Sequence, residues 1–334
     1  MKSELRARIK SNYWTTISYY LLSDLLARSK FLSGDIATTS GTIHRTLTVE
    51  ESVHYIEEVF EDYKRYSGCR QFYGRVAEVG PGDSCGTALL FLNDGCENID
   101  LVDRFFSERR VESQAAIYLT LLSKYSGLRQ FLCDADLADE KTFGSLKRHY
   151  GANASAEKFF AKHIGYDFIV SRAVFEHLYD PLAALKGMAA ALTSGGYLLH
   201  KIDLRDHGMF SVAHHELKFL EVPAWLYPWM TRGTGRPNRV LLHEYRKAMQ
   251  HLRLDGHLLI TRLAGIGDIN PHLPYEDIPA NQRAASTAYV RSVRKQFAAK
   301  FHNVSDEDVS VAGIFLVARK PGDRQRTRSC DRLL

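Results

Sequence analysis

Cysteine is scarce in this chain. There are five (Cys69, Cys85, Cys96, Cys133, Cys330), an odd number with no C-x-x-C pair. That pattern argues against a disulfide framework and a cysteine-based zinc site, and it fits a reducing compartment. Long apolar runs are also missing. The best, Tyr13 to Leu26, is interrupted by Asp24 and is too short to span a bilayer. The stretch Met1 to Lys10 is charged and does not read as a secretory leader. There is no internal repeat and no low-complexity segment. A broad basic surface is lacking too, although the formal net charge is +5. Six bases against two acids between Arg319 and Leu334 account for +4 of it, so the rest of the chain is close to neutral. These absences lead us to expect a cytoplasmic protein with neither a nucleic-acid nor a membrane partner, and they leave the oligomeric state open.

What is present is ordinary globular material: 334 residues, 45% hydrophobic and 25% charged, enough to bury a sizeable core. Residues 1–70 read as helical. Ser11 stands where it could cap a first helix, and Thr48 with Glu51 forms a capping-box signature for a second, which carries Val53, Ile56, Val59, Phe60 and Tyr63. From Arg75 the texture changes to short β-type runs separated by helical patterns. Strands are expected at Val76–Val79, Ile99–Val102, Leu128–Leu132, Phe168–Val170 and Gly196–Ile202, and later at His257–Leu263 and Val309–Ala318. Such alternation predicts parallel strands with helical crossovers. Residues 265–306 make a long connection with a proline-rich part (Pro271, Pro274, Pro279) and a helix-like part from Asn281 to Phe301.

The sharpest motif is Glu78-Val79-Gly80-Pro81-Gly82-Asp83-Ser84-Cys85-Gly86, between a strand and a helix. Glycines there let backbone approach a ligand, and the helix start offers unpaired N–H groups. Asp103 closes the next strand, where a carboxylate can accept from both hydroxyls of a ribose. Dinucleotide-binding proteins share this logic. Glu78 separates the two cases: an acid at the end of the first strand would repel a pyrophosphate but suits the cationic amino-acid end of S-adenosylmethionine.

Arg75–Gly86 with Asp103 resembles the first two motifs of class I S-adenosylmethionine-dependent methyltransferases, in a G-P-G-D-S form associated with bacterial small-molecule or glycan enzymes. Ser84 stands where a third close-spaced glycine is common, and the glycine falls at Gly86. The resemblance extends to Tyr166–Ser171 with Phe175-Glu176-His177-Leu178, to Gly195-Gly196, and to Phe315–Lys320 as a closing antiparallel strand. It covers about residues 70–205 well and 240–320 loosely. It implies a Rossmann-like, seven-stranded, mostly parallel α/β sheet with helices on both faces, an antiparallel last strand and a helical N-terminal cap. It also implies S-adenosyl-L-methionine as cofactor, bound by Glu78, Gly80, Pro81, Gly82, Ser84, Asp103 and Ser171, with Asp134 and Ala135 at the adenine.

If the acceptor is a hydroxyl, its proton must go to a base. His177 follows the fourth strand and His207 the fifth, and Asp203 or Asp206 stands ready to orient His207. Asp203, Asp206 and His207 with His200 have the donor types of a metal set. Strand alternation separates His200 from Asp203, and a hydrogen-bonded turn is the plainer reading, so no metal is expected. Arg172, Arg205, Arg232, Arg236 and Arg239 are the arginines expected on the acceptor side, the last three beside Trp225, Tyr227 and Trp229. The expected layout is a cap at 1–70, a methyltransferase domain at 71–320 with substrate-side insertions at about 208–240 and 265–306, and a disordered basic tail at 321–334. The expected activity is methyl transfer to a hydroxyl of a small molecule or glycan. The alternatives are action on a protein or RNA, or a non-catalytic nucleotide-binding subunit.

Overall fold

The structure, a computed structural model, describes residues 10–32, 37–38, 41–132 and 135–322. The tail expected beyond Gly322 and the Asp134 position therefore lie outside the described residues.

The parallel strands are β1 (Gly74–Val79), β2 (Cys96–Asp103), β3 (Leu146–Tyr150), β4 (Tyr166–Arg172) and β5 (Leu192–Asp203), all but β3 built on short apolar runs. β6 (Asp255–Leu263), β7 (Gly267–Leu273) and β8 (Val311–Arg319) complete one sheet in the order β3-β2-β1-β4-β5-β8-β6-β7. β8 runs antiparallel to both β5 and β6, and β7 antiparallel to β6. The last strand is thus antiparallel as expected, but the sheet has eight strands. The eighth is β7, hidden in the proline-rich connection. It is an edge strand, and Pro271 falls in the register shift between the Arg262–Asp268 and Ile260–Leu273 pairs, so it withholds no ladder N–H.

The expected third strand is misplaced. Ser126–Leu132 forms two helical turns, and apolar Leu128 and Leu132 are buried by them. The true third strand, Leu-Lys-Arg-His-Tyr, lies at a sheet edge with mostly half-exposed side chains, which is why its sequence is polar.

The longer helices are α1 (Tyr13–Leu32), α2 (Val49–Ser67), α3 (Gly86–Asp94), α4 (Val111–Lys124), α5 (Pro181–Ala191), α6 (Leu242–His251) and α7 (Ala280–Val293). The capping box opens α2: Thr48 Oγ1 accepts from the Glu51 N–H at 3.2 Å and Glu51 Oε2 from the Thr48 N–H at 2.8 Å. At α1 the cap is Asn12 rather than Ser11, its Oδ1 accepting from the Trp14 and Thr15 N–H groups.

Strand alternation divides the core between the two faces of the sheet. Phe315 and Val317 of β8 join α2, α3 and α4 through Ile56, Phe91 and Tyr118; Ile314, Leu316 and Ala318 join α5 and α6 through Met188 and Tyr245. A third cluster unites Ile17 and Tyr20 of α1 with Phe210, Phe219, Val222 and Tyr227 of the segment after β5, and with Val290 of α7. Among the described residues, α1 and α2 therefore do different things: α2 covers the sheet, and α1 covers the insertion. The strand order reverses between β1 and β4, so a crevice opens at their carboxyl ends. Among the described residues, no helix is long and apolar enough to cross a membrane.

Candidate active site

The turn after β1 is built for close approach. Gly80 has φ +71° and Gly82 φ +65°, a region that side chains avoid. A Cβ on Gly80 would lie 2.3 Å from Val174 Cγ2, and one on Gly82 would lie 2.6 Å from the Gly41 carbonyl oxygen. The loop is tied from both sides: Gly80 N–H donates to Val102 O at 2.9 Å and Asp83 N–H to Gly41 O at 3.0 Å. Beside it lies a cavity of about 500 Å³, within the range of small-molecule sites, reaching Asp103, Ser155, His177, Tyr179 and Arg236.

Two acids stand at this loop. Asp103 faces the cavity and accepts from the Phe105 N–H at 2.9 Å. Burial pushes its carboxyl up to about 6, partly countered by the neighbouring amides and Arg109. Glu78 is 7% exposed, and its Oε2 has no hydrogen-bond partner among the described residues. Burial pushes it up to about 8, against the charge of Arg109. Arg109 braces the loop, donating to Gly82 O at 3.2 Å, to the Tyr150 hydroxyl at 2.9 Å and to Glu140, which also takes Arg148 and the Tyr118 hydroxyl.

A second cluster closes the other end of the cavity. His177 lies on its wall, with Nδ1 2.7 Å from Gly235 O. Burial and the nearby His207 lower it to about 4. The two imidazoles meet edge to face with centroids 4.9 Å apart. His207 Nε2 lies 3.3 Å from Asp203 Oδ2 and 3.7 Å from Glu176 Oε1. Glu176 is 1% exposed, no side chain donates a hydrogen bond to its oxygens, and burial pushes its carboxyl well above the usual range, only partly countered by the Glu176 and Asp203 backbone N–H groups. Burial acts on Asp203 in the same sense, but bonds from His207 and a two-pronged grip by Arg205 outweigh it and hold it well below the usual range. Ala173 and His207, at φ +55° and +48°, carry positive backbone angles beside this cluster.

The structure gathers only some of the residues expected from sequence. Gly80, Gly82, Asp103, His177 and Arg236 line the cavity, while Glu78, Pro81 and Ser84 belong to the loop and its support. His207 and Asp203 stand behind His177. Asp206 does not orient His207; it is fully buried and caps the Gly208–Ser211 turn. Ser171 is buried and bonded to His200 Nδ1 at 2.8 Å, so neither reaches the cavity. Ala135 packs against the core on the α2–α4 side, because the third strand lies elsewhere. Residues after β3, Ala154 to Glu157, stand where Asp134 and Ala135 were expected.

Arg239 is buried, stacked 4.0 Å over Tyr227 and donating to the Phe219 and Val222 carbonyls; it is a structural cation. Arg232 is exposed. Arg172 and Arg205 line a separate charged cavity of about 490 Å³, where Arg172 is held by Asp62 and Glu58. Sequence reasoning missed Glu176 as a participant, although it sits beside His177. It also missed Asp24, which fixes the Gly233–Thr234 backbone under α1.

No curated protein matches the chain in sequence. Among solved structures, it is similar to phosphoethanolamine N-methyltransferase 2 of Haemonchus contortus in complex with S-adenosyl-L-methionine. Identity is 14% and TM-score 0.41, over 79% of this chain and 52% of that one. It is also similar to the YcgJ protein of Bacillus subtilis, with 16% identity and TM-score 0.37, over 81% of this chain and 99% of that one. Those identities are low; the assignment rests on a family model described as a methyltransferase domain, which residues 50–259 match. With its glycine loop, its strand-end acid and well over half its length inside that match, the chain belongs to the methyltransferase domain family, on the class I fold that uses S-adenosyl-L-methionine.

Proposed function

We propose that this chain transfers the methyl group of S-adenosyl-L-methionine to a hydroxyl of a small molecule or glycan. The observation that carries this reading is the cluster of Glu176, His177, Asp203 and His207 at one end of the glycine-loop cavity, a proton-handling group beside the methyl-donor cleft. The cleft suits the cofactor. Gly80 and Gly82 leave the space that a Cβ would fill, Asp103 offers acceptors for two ribose hydroxyls, and the unpaired Glu78 carboxylate suits a cationic amino-acid end. When bound, S-adenosylmethionine supplies a sulfonium methyl: the acceptor O–C bond forms as the S–C bond breaks, and the electron pair stays on sulfur.

The chain's own contribution is to position the acceptor and receive its proton. His177 donates its Nδ1 hydrogen to Gly235, which leaves Nε2 as an acceptor. Asp203, gripped by Arg205, orients His207. Arg236 on the cavity wall and Arg172 and Arg205 in the neighbouring cavity are assigned to the acceptor side.

Transfer of labelled methyl to matched panels of hydroxyl and amine acceptors tests this reading. Hydroxyl compounds are expected to be labelled. His177→Ala or His207→Ala is expected to cut turnover by roughly a hundredfold while S-adenosylhomocysteine still binds. Labelling of amines alone, or wild-type turnover in both variants, overturns it.

A further inference from the structure

We propose that Glu176, His177 and His207 form a binding site for one divalent transition-metal ion. The proposal deepens the hydroxyl-methylation reading and rests on it only for the ion's role. One ligand atom from each residue lies within 4.8 Å of the others. Small side-chain movements bring such a set to the ~2.0–2.2 Å ligand distances of a bound ion.

Glu176 supplies the strongest argument. A carboxylate 1% exposed, with no side-chain donor to either oxygen and only the backbone N–H groups of Glu176 and Asp203 favouring its charge, is costly unless something charged completes it. His207 Nε2 stands 3.7 Å away, beyond hydrogen-bond reach. A cation between Glu176 and the two imidazoles supplies what this carboxylate lacks.

The surroundings of the histidines agree. His177 gives its Nδ1 hydrogen to Gly235 O at 2.7 Å, the outer contact that fixes a ligand imidazole's tautomer and leaves Nε2 free. His207 is held at φ +48°, a strained angle for a side-chain-bearing residue, and that conformation turns its ring edge to face toward His177. Asp203, fixed by Arg205, lies 3.3 Å from His207 Nε2 and is placed either to orient the ring or to add an oxygen.

Two nitrogens and one carboxylate select ions such as Zn²⁺, Co²⁺, Mn²⁺ or Fe²⁺ over Mg²⁺ and Ca²⁺, which favour all-oxygen sets. Three protein ligands leave coordination positions open. With His177 and His207 engaged as ligands, the ion takes over the part assigned above to their imidazoles: an acceptor hydroxyl drawn to it would release its proton to water more readily. The transfer itself stays balanced as above, with an O–C bond formed, an S–C bond broken and the electron pair on sulfur.

The test uses the full chain, freed of metal by dialysis against a chelator and titrated with Co²⁺. A visible absorption band saturating at one Co²⁺ per chain, and displaced by Zn²⁺, is expected. E176Q and H207Q should each weaken Co²⁺ binding by at least about a hundredfold, the upper end of what loss of an outer-shell partner costs. If E176Q does not fold, H207Q decides, since the His207 side chain is 31% exposed. S-adenosylhomocysteine titration of the same samples reads the cofactor cleft separately. No cobalt band in a wild type that binds S-adenosylhomocysteine, or wild-type cobalt affinity in a folded variant, overturns the metal site and leaves the methyl-transfer reading standing.

Discussion

Gly80 shows how much of this site depends on single atoms. Its φ is +71°, and a Cβ at this position would lie 2.3 Å from Val174 Cγ2, which leaves no room for alanine. Gly80→Ala is expected to cost about 1–3 kcal/mol of stability, seen as a lower Tm, and to weaken S-adenosylhomocysteine binding. Asp103 sets a pH dependence. Its ionised form accepts hydroxyl hydrogens, and burial raises its carboxyl from 3.8 to about 6. Affinity for S-adenosylhomocysteine should therefore fall as pH drops through about 6, and titrations between pH 5 and 8 would read it. The sign for folding is the reverse. The folded state holds this proton more tightly than the unfolded chain, so this group's contribution to stability declines as pH rises from about 4 to about 6. Gly80, Gly82, Glu78 and Asp103 were legible in the sequence because strand, turn and strand-end acid follow in one short stretch. Ser171 and Arg239 were not: each has the chemistry of a binding residue, and only the fold shows their polar groups spent on His200 and on carbonyls.

At the scale of elements, the N-terminal helix is a clamp. Asp24, with a fully buried side chain, accepts from the Gly233 and Thr234 N–H groups at 2.6 and 2.9 Å and pairs with Arg28. Three residues of the loop it holds, Gly233, Thr234 and Gly235, line the cavity with Arg236. Asp24→Ala leaves those amides unpaired at a cost of about 1–3 kcal/mol. Faster hydrogen exchange across residues 231–236 is the expected signature, and unchanged exchange would show that α1 does not fix this loop. No sequence pattern signals this clamp, because a contact spanning more than 200 residues leaves no local trace. The strands show the same boundary. β1, β2, β4 and β5 announce themselves as apolar runs because both their faces are covered. β3 and β7 lie at sheet edges, and their polar or proline-bearing sequences read as loops.

At the scale of the molecule, the sheet and two of its cores carry the glycine-loop cavity, while α1, the segment after β5 and α7 form a third core. Binding at the cleft should stabilise the whole fold by mass action, about 2.7 kcal/mol at a ligand concentration a hundredfold above Kd. A rise in Tm with S-adenosylhomocysteine, and none with NAD, would follow from the Glu78 chemistry, since Asp103 suits the ribose of either ligand. The most direct measurement is calorimetric titration of the wild type and Asp103→Ala with S-adenosylhomocysteine. The account predicts one site per chain in the wild type. In the variant, affinity should be weaker by roughly 2–4 kcal/mol, through loss of charge-assisted bonds to two hydroxyls, with the fold intact. Equal affinity in the two proteins would contradict it.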